Sequence, residues 1–352
     1  MTSDRSRQYR RRFWILGLGF AAVFFASFLL GRYAVTPGTL FRVLSGALLS
    51  PLDRLLGTSL APAATWSGRE QAVILNIRLP RVALAAVVGA ALSAAGAAYQ
   101  GMFRNPMVSP DILGASNGAG FGAALGILLS FGYFGVTLSA FLFGVGAVAM
   151  AWIVSRVSRM NATLSMVLAG IVVGSLFSAG TSFVKLVADT NDQLPAITYW
   201  LMGSLSSAKT RDLLFALIPV AVGIVPLLLL RWKINFLTLG EEEARSLGIN
   251  TNRLRLIIVI CATLITAASV AVSGMIGWIG LVIPHFARML FGHDYKRLLP
   301  ASMLLGATFL VVVDNIARLA ASSEIPLGVL TSFVGAPVFV WLMVRGGADR
   351  EH

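Results

Sequence analysis

The sequence predicts an all-α, polytopic membrane protein with about ten transmembrane helices. Three observations carry this. Hydrophobic residues make up 57% of the 352 residues and charged residues only 12%, against about 45–50% and about 25% in soluble domains. Mean hydropathy is +0.82. Apolar runs recur along the whole chain, and each crossing of a hydrocarbon core about 30 Å thick needs roughly 20 of them in a row. Ten such helices use roughly 200 residues, which leaves connectors rather than a second soluble domain. A soluble enzyme, a disordered chain and a nucleic-acid-binding domain are thereby excluded. The net charge of +13 fits a membrane protein that carries excess Lys and Arg in its cytoplasmic loops.

The elements follow in order. A basic tail over residues 1–12, with Arg5, Arg7, Arg10, Arg11 and Arg12, precedes an apolar run from Phe13 to Leu30. The run is long, no A-x-A site follows it, and further apolar segments succeed it. It therefore reads as an uncleaved first span with a cytoplasmic N-terminus. The outer loop over 34–77 holds Pro37, Pro51 and Pro62 with several Gly and Ser, which predicts irregular or only briefly helical chain. Later spans are expected at 80–103, 111–130, 134–155, 162–187, 212–231, 254–274, 276–292, 299–320 and 326–345. An even count returns the C-terminus to the cytoplasm, with one transmembrane domain over 1–352. This orientation puts 18 of the 28 basic residues inside, in line with the positive-inside bias. The largest inner loop is 232–253. Cys261 is alone in an apolar run, so there is neither a disulfide framework nor a CxxC metal pair.

Six features can carry mechanism. In Arg78-Leu79-Pro80-Arg81, Pro80 suits a first helical turn. The two arginines share a face, as snorkelling anchors or as a docking patch for an acidic partner. Between Arg104-Asn105-Pro106-Met107 and Ser109-Pro110-Asp111 no helix survives; the segment is a tight turn or a constriction lining a pathway. Gly114, Gly118, Gly122 and Gly126 recur every fourth residue, as do Gly170, Gly174, Ser178 and Ser182, spacing that favours close helix packing. In Gly240-Glu241-Glu242-Glu243-Ala244-Arg245-Ser246-Leu247-Gly248, glutamates occupy a first turn. Glu241 and Arg245 are an i,i+4 pair, and Gly248 supplies a left-handed stop. This short helix is a connector or a lever for a cytoplasmic partner. Glycines and Pro284 interrupt the run before His285, a structural hydrogen-bonder or a ligand. Asp314 has Arg318 four residues on as its nearest partner. No G-x-x-x-x-G-K-[ST] occurs, so the chain has no P-loop of its own.

Taken together and in this order, several motifs resemble the permease subunit of ATP-driven importers for cobalamin, iron–siderophore complexes and haem. They are Ile77–Arg81, Arg104-Asn105-Pro106 through Ala119, Leu168-Ala169-Gly170, Tyr199–Gly203, Leu239–Gly248, Ile279–His285, Asp314 with Arg318, Glu324–Gly328 and Gly335–Phe339. The resemblance extends over about residues 75–345. It implies the type II importer permease fold, a homodimer around a central pathway, two cytoplasmic ATPase subunits and a periplasmic binding protein, in a bacterial inner membrane. It implies no cofactor on this chain, ATP and Mg belonging to the ATPase, no catalytic residues and no bound metal.

Carried onto matching positions, Arg78, Arg81 and Arg318 resemble the outer arginines that accept glutamates of the binding protein. Asn105 and Met107 resemble one cytoplasmic gate, and Thr163 and Leu164 a second. Leu164 departs from the polar residue expected there. Gly240, Glu241, Glu242, Ala244, Arg245, Leu247 and Gly248 resemble the coupling helix held by the ATPase. An iron complex is the expected cargo. Cobalamin, molybdate or, more remotely, an ion-coupled carrier are the alternatives.

Overall fold

In a computed structural model, residues 2–58, 61–63, 65–158 and 161–348 are described, and among them there is no strand. Arg159 and Arg350 of the inner-charge count lie outside the described residues, as does the side chain of Glu241. In chain order the elements are α1 (Thr2–Leu29), α2 (Pro37–Leu56), α3 (Gly68–Ala72), a π-helical stretch Val73–Arg78 and α4 (Leu79–Phe103). A 3-10 turn Pro110–Leu113 leads into α5 (Ala115–Leu128), α6 (Tyr133–Val157), α7 (Ala162–Val187) and α8 (Gln193–Met202). Then follow α9 (Thr210–Leu239), α10 (Glu241–Ser246), α11 (Thr251–Ser273), α12 (Ile279–Phe291), α13 (Tyr295–Leu319) and α14 (Leu327–Ala348).

Every expected span corresponds to a helix. Seven helices are long and apolar enough to cross a membrane by length and composition, and Ile279–Phe291 and Leu327–Leu342 are shorter apolar helices. Three expectations need correction. The 34–77 stretch is not irregular, because α2 runs for 20 residues within it. Thr36 caps its start through Thr39 N–H, Pro37 sits at its first position, and Gly57 (φ 67) stops it. These are ordinary helix signals that outweigh the turn-like composition. The 232–253 loop is shorter than expected, since α9 continues to Leu239. Residues 2–12 are the first turns of α1 rather than a separate tail.

The core has a physical cause in small residues. The α4 window is 83% buried and that of α11 78%, against 11% for α1 and 22% for α9. The first pair are therefore central and the second peripheral. Helix α4 reaches its neighbours through backbone rather than side chains: a Cβ on Gly89 would strike the Gly306 carbonyl of α13, and one on Gly96 the Gly280 carbonyl of α12. Lipid chains are as apolar as Leu, so such close van der Waals approach is what holds helices together in a bilayer. The two glycine rows do the same. Gly118 and Gly122 lie against Phe143 and Ser139 of α6, and Gly170 against Ile112. Packing is thus the role of the first row and of Gly170 and Gly174, while Ser178 and Ser182 are exposed.

Candidate functional site

Two polar clusters stand at opposite ends of the bundle. We call the end holding the start of α1 basal and the end holding its finish apical.

At the apical end the three arginines singled out in the sequence come together, but they do not present a free face. Arg78 is 4% exposed and Arg81 6%. Arg78 donates to the Phe28 carbonyl and, at 2.5 Å, to that of Tyr33, so it ties down the chain leaving α1. Arg81 forks between two carboxylates. Its Nε lies 2.9 Å from Asp314 Oδ1, and its Nη1 and Nη2 lie 2.8 and 2.9 Å from the two oxygens of Glu324. Parallel N–H···O⁻ pairs of this kind are the strong form of the interaction. Arg318 Nε lies 3.3 Å from Asp314 Oδ2 as an ion pair, so the expected local pair is present but is half of a larger group. Arg318 donates further to Asn315 Oδ1, and Asn315 Nδ2 to Ser27 of α1. Arg81 and Arg318 thus face two carboxylates while Arg78 is held by backbone carbonyls beside them, so the three arginines carry a surplus of one positive charge. Glu324, quoted in a motif but given no role, is the missed member. Its side chain is 32% exposed against 1% for Asp314, so it is the cluster's accessible carboxylate. No local pattern points to it, because 243 residues separate it from Arg81.

The remaining site residues stand on separate elements. Met107 is exposed, in the turn after α4, where Asn105 Oδ1 accepts its backbone N–H at 2.9 Å. Arg104, in the left-handed region (φ 52), ends the helix there. Thr163 and Leu164 occupy the first turn of α7, capped by Asn161, and Leu164 is exposed. Of the described side chains of α10, all but Ala244 are exposed. Gly240 (φ 154) and Gly248 (φ 77) bound it, and the Gly248 and Ile249 N–H groups close back on Arg245 and Ala244. Backbone of that hand suits glycine.

His285, Arg288, His293 and Tyr295 gather with Arg104 and Asn105 around a basal cavity of about 470 Å³. Arg288 donates to Gln100 Oε1, while Gln100 Nε2 reaches the carbonyls of Val108, Gly280 and Leu281 at 3.1–3.3 Å. One glutamine thereby joins α4, the 104–109 turn and α12. Among the described residues, no group of three or more His, Cys, Asp or Glu could hold a metal ion.

The model described as the FecCD transport family matches residues 19–345. The chain belongs to that family. As a FecCD protein it is a permease subunit of ABC importers, with the type II importer permease fold. It is 41% identical over 80% of its length to the molybdate import permease MolB of Haemophilus influenzae, of which it covers 84%. It is 43% identical over 78% of its length to a probable iron chelatin permease of Helicobacter pylori, of which it covers 82%. A solved metal-chelate type ABC transporter in an inward-facing conformation superposes on this FecCD chain with a TM-score of 0.83 and 36% identity, covering 96% of this chain and 99% of that one.

Proposed function

We propose that this chain is the translocation subunit of an importer for an iron complex, haem or iron–siderophore, delivered by a periplasmic binding protein. Two copies form the pathway in a bacterial inner membrane, with both termini cytoplasmic. Two ATPase subunits hydrolyse ATP and grip α10 of each copy; this chain itself is not an enzyme. Closure of the ATPase pair moves the two α10 helices, and the spans shift which end of the pathway is open. Asn105 and Met107, with Thr163 and Leu164, act as the cytoplasmic gates. At the apical end the surplus positive charge around Arg78, Arg81 and Arg318 receives a glutamate of the binding protein.

The observation that carries this reading is α10: a short, outward-facing helix stopped at both ends by glycines of positive φ and seated between two long spans. A helix so placed transmits a push rather than absorbing it. The relative named for molybdate supports a second reading of the cargo, an oxyanion in place of a chelate.

The chain is to be reconstituted in proteoliposomes with its ATPase partner. Uptake should require ATP. Replacing Glu241 and Arg245 together should leave ATP hydrolysis and abolish uptake; intact uptake reduces α10 to a connector. Solute movement by the chain alone under an ion gradient would replace the importer by a carrier. Reversal of Arg78, Arg81 and Arg318 to Glu should weaken docking, and unchanged stimulation of the ATPase by loaded binding protein would sink that assignment. Direct binding of a ferric chelate and of molybdate to the partner binding protein decides the cargo.

A further inference from the structure

The basal cavity shares Asn105 with the proposed gate, but the rest of its lining has no place in the translocation scheme and carries charge of one sign. Arg104 and Arg288 bring two guanidinium groups, which stay charged at any physiological pH. His285 and His293 bring two imidazoles, Tyr295 a hydroxyl and Asn105 an amide N–H₂. No carboxylate is among the described residues that line it. Asp294, next in sequence to His293, is committed elsewhere. Its Oδ1 accepts from Asn235 Nδ2 at 2.8 Å and from the Lys296 backbone N–H at 3.0 Å. Two acceptors within the lining are also engaged, and the Tyr295 hydroxyl lies against Arg288. Gln100 Oε1 takes Arg288, and Asn105 Oδ1 takes the Met107 N–H. On Arg288, Nη1 is buried with no acceptor in hydrogen-bonding geometry. A buried guanidinium N–H left without an acceptor is costly, more so than a neutral donor. At the apical end Arg318 Nε also lacks an acceptor in hydrogen-bonding geometry, but there the Asp314 carboxylate lies 3.3 Å away to balance the charge.

The geometry points to an anion site in this cavity, built for a tetrahedral oxyanion of the phosphate class. Arg288 and Arg104 supply the charge, and His293, His285 and Tyr295 complete a cup of donors. The guanidinium fork matches paired oxygens of such an anion, and a volume of about 470 Å³ admits either a free hydrated anion or the phosphate of a lipid headgroup. The surroundings suit both sources. The basic start of α1 lies alongside, with Arg12 on the Leu290 carbonyl and Arg297 stacked 4.0 Å over the Tyr9 ring. This adds positive potential that draws anions toward the mouth.

The test uses the full chain in nanodiscs at constant ionic strength. Radiolabelled inorganic phosphate is titrated by equilibrium dialysis in pure phosphatidylcholine discs, and retained phosphatidylglycerol is counted by native mass spectrometry from mixed discs. Saturable binding of one of the two, near one per chain, is expected. It should weaken at least tenfold in Arg288→Gln and in Arg104→Gln and stay unchanged in Arg211→Gln, which lies at the other end. Phosphate binding assigns a soluble anion; retention of phosphatidylglycerol alone assigns a headgroup. Should Arg288→Gln fail to fold, Arg104→Gln, at an exposed turn, decides. Absence of saturable binding of either probe, or equal binding by Arg104→Gln and the parent chain, overturns the proposal.

Discussion

The two ends of this bundle handle arginine in opposite ways. At the apical end Arg81 and Arg318 share Asp314, Arg81 also holds Glu324, and Arg78 is bound to backbone carbonyls. At the basal end Arg104 and Arg288 line a cavity that contains no carboxylate among its described residues. Charge that is matched inside the fold serves to join elements, here the finish of α1, the start of α4, the finish of α13 and the segment before α14, and only the surplus is left there for a partner. Charge left unmatched is available to something outside the chain. The difference teaches that position in a motif does not decide whether an arginine is structural; its acceptors do.

Four substitutions break or sharpen that contrast. The largest effect is expected at Asp314→Ala, which strips Arg318 of its carboxylate and leaves Arg81 with Glu324 alone. Removal of one partner from a buried ion pair costs about 3–5 kcal/mol, read as a loss of thermal stability in detergent. A change below about 1 kcal/mol would mean that the apical cluster is not held by charge. Next is Gly96→Leu, which forces a side chain into the Gly280 backbone. Overpacking costs about 1–3 kcal/mol, and both ends should loosen together, because α4 spans the distance between them. Third is Glu324→Gln. The carboxylate is a third exposed, so water screens it, and a double-mutant cycle with Arg81 should give about 1 kcal/mol or less. A coupling as large as that of Asp314 would erase the distinction between the enclosed and the accessible carboxylate. Smallest is Arg104→Gln, expected to change stability by no more than about 0.5 kcal/mol. A large loss there would show that the basal cation has an internal partner, and the comparison would fail.

The spans were legible because a bilayer demands long apolar runs, and each run in this sequence became a helix. The α10 boundaries were legible for a local reason, glutamates at one end and Gly248 at the other. Helix α2 was hidden by its own composition. Pro37 and Gly57, which read as loop formers, are its start and its stop. The apical cluster was only half legible. Asp314 and Arg318 are four residues apart and announce themselves, but Arg81 reaches Asp314 across 233 residues, and nothing local encodes such a meeting. Arg288 and His293 were missed for the same reason. Their companion Arg104 sits on another element, and what unites them is a cavity, which has no sequence signature.

The contacts of Gly89 with Gly306 and of Gly96 with Gly280 bear on how the molecule can move. Adaptable side chains allow one helix to creep past its neighbour, since rotamers take up the offset. Backbone seated on backbone has no such play. A ratchet of one turn, about 5.4 Å, would bring Leu92 or Gln100 to the place where Gly96 now meets α12, and neither fits. Helices α4, α12 and α13 therefore turn as one block or not at all. Any opening and closing of a passage must be hinged around that block, in the manner of doors hung on a fixed post.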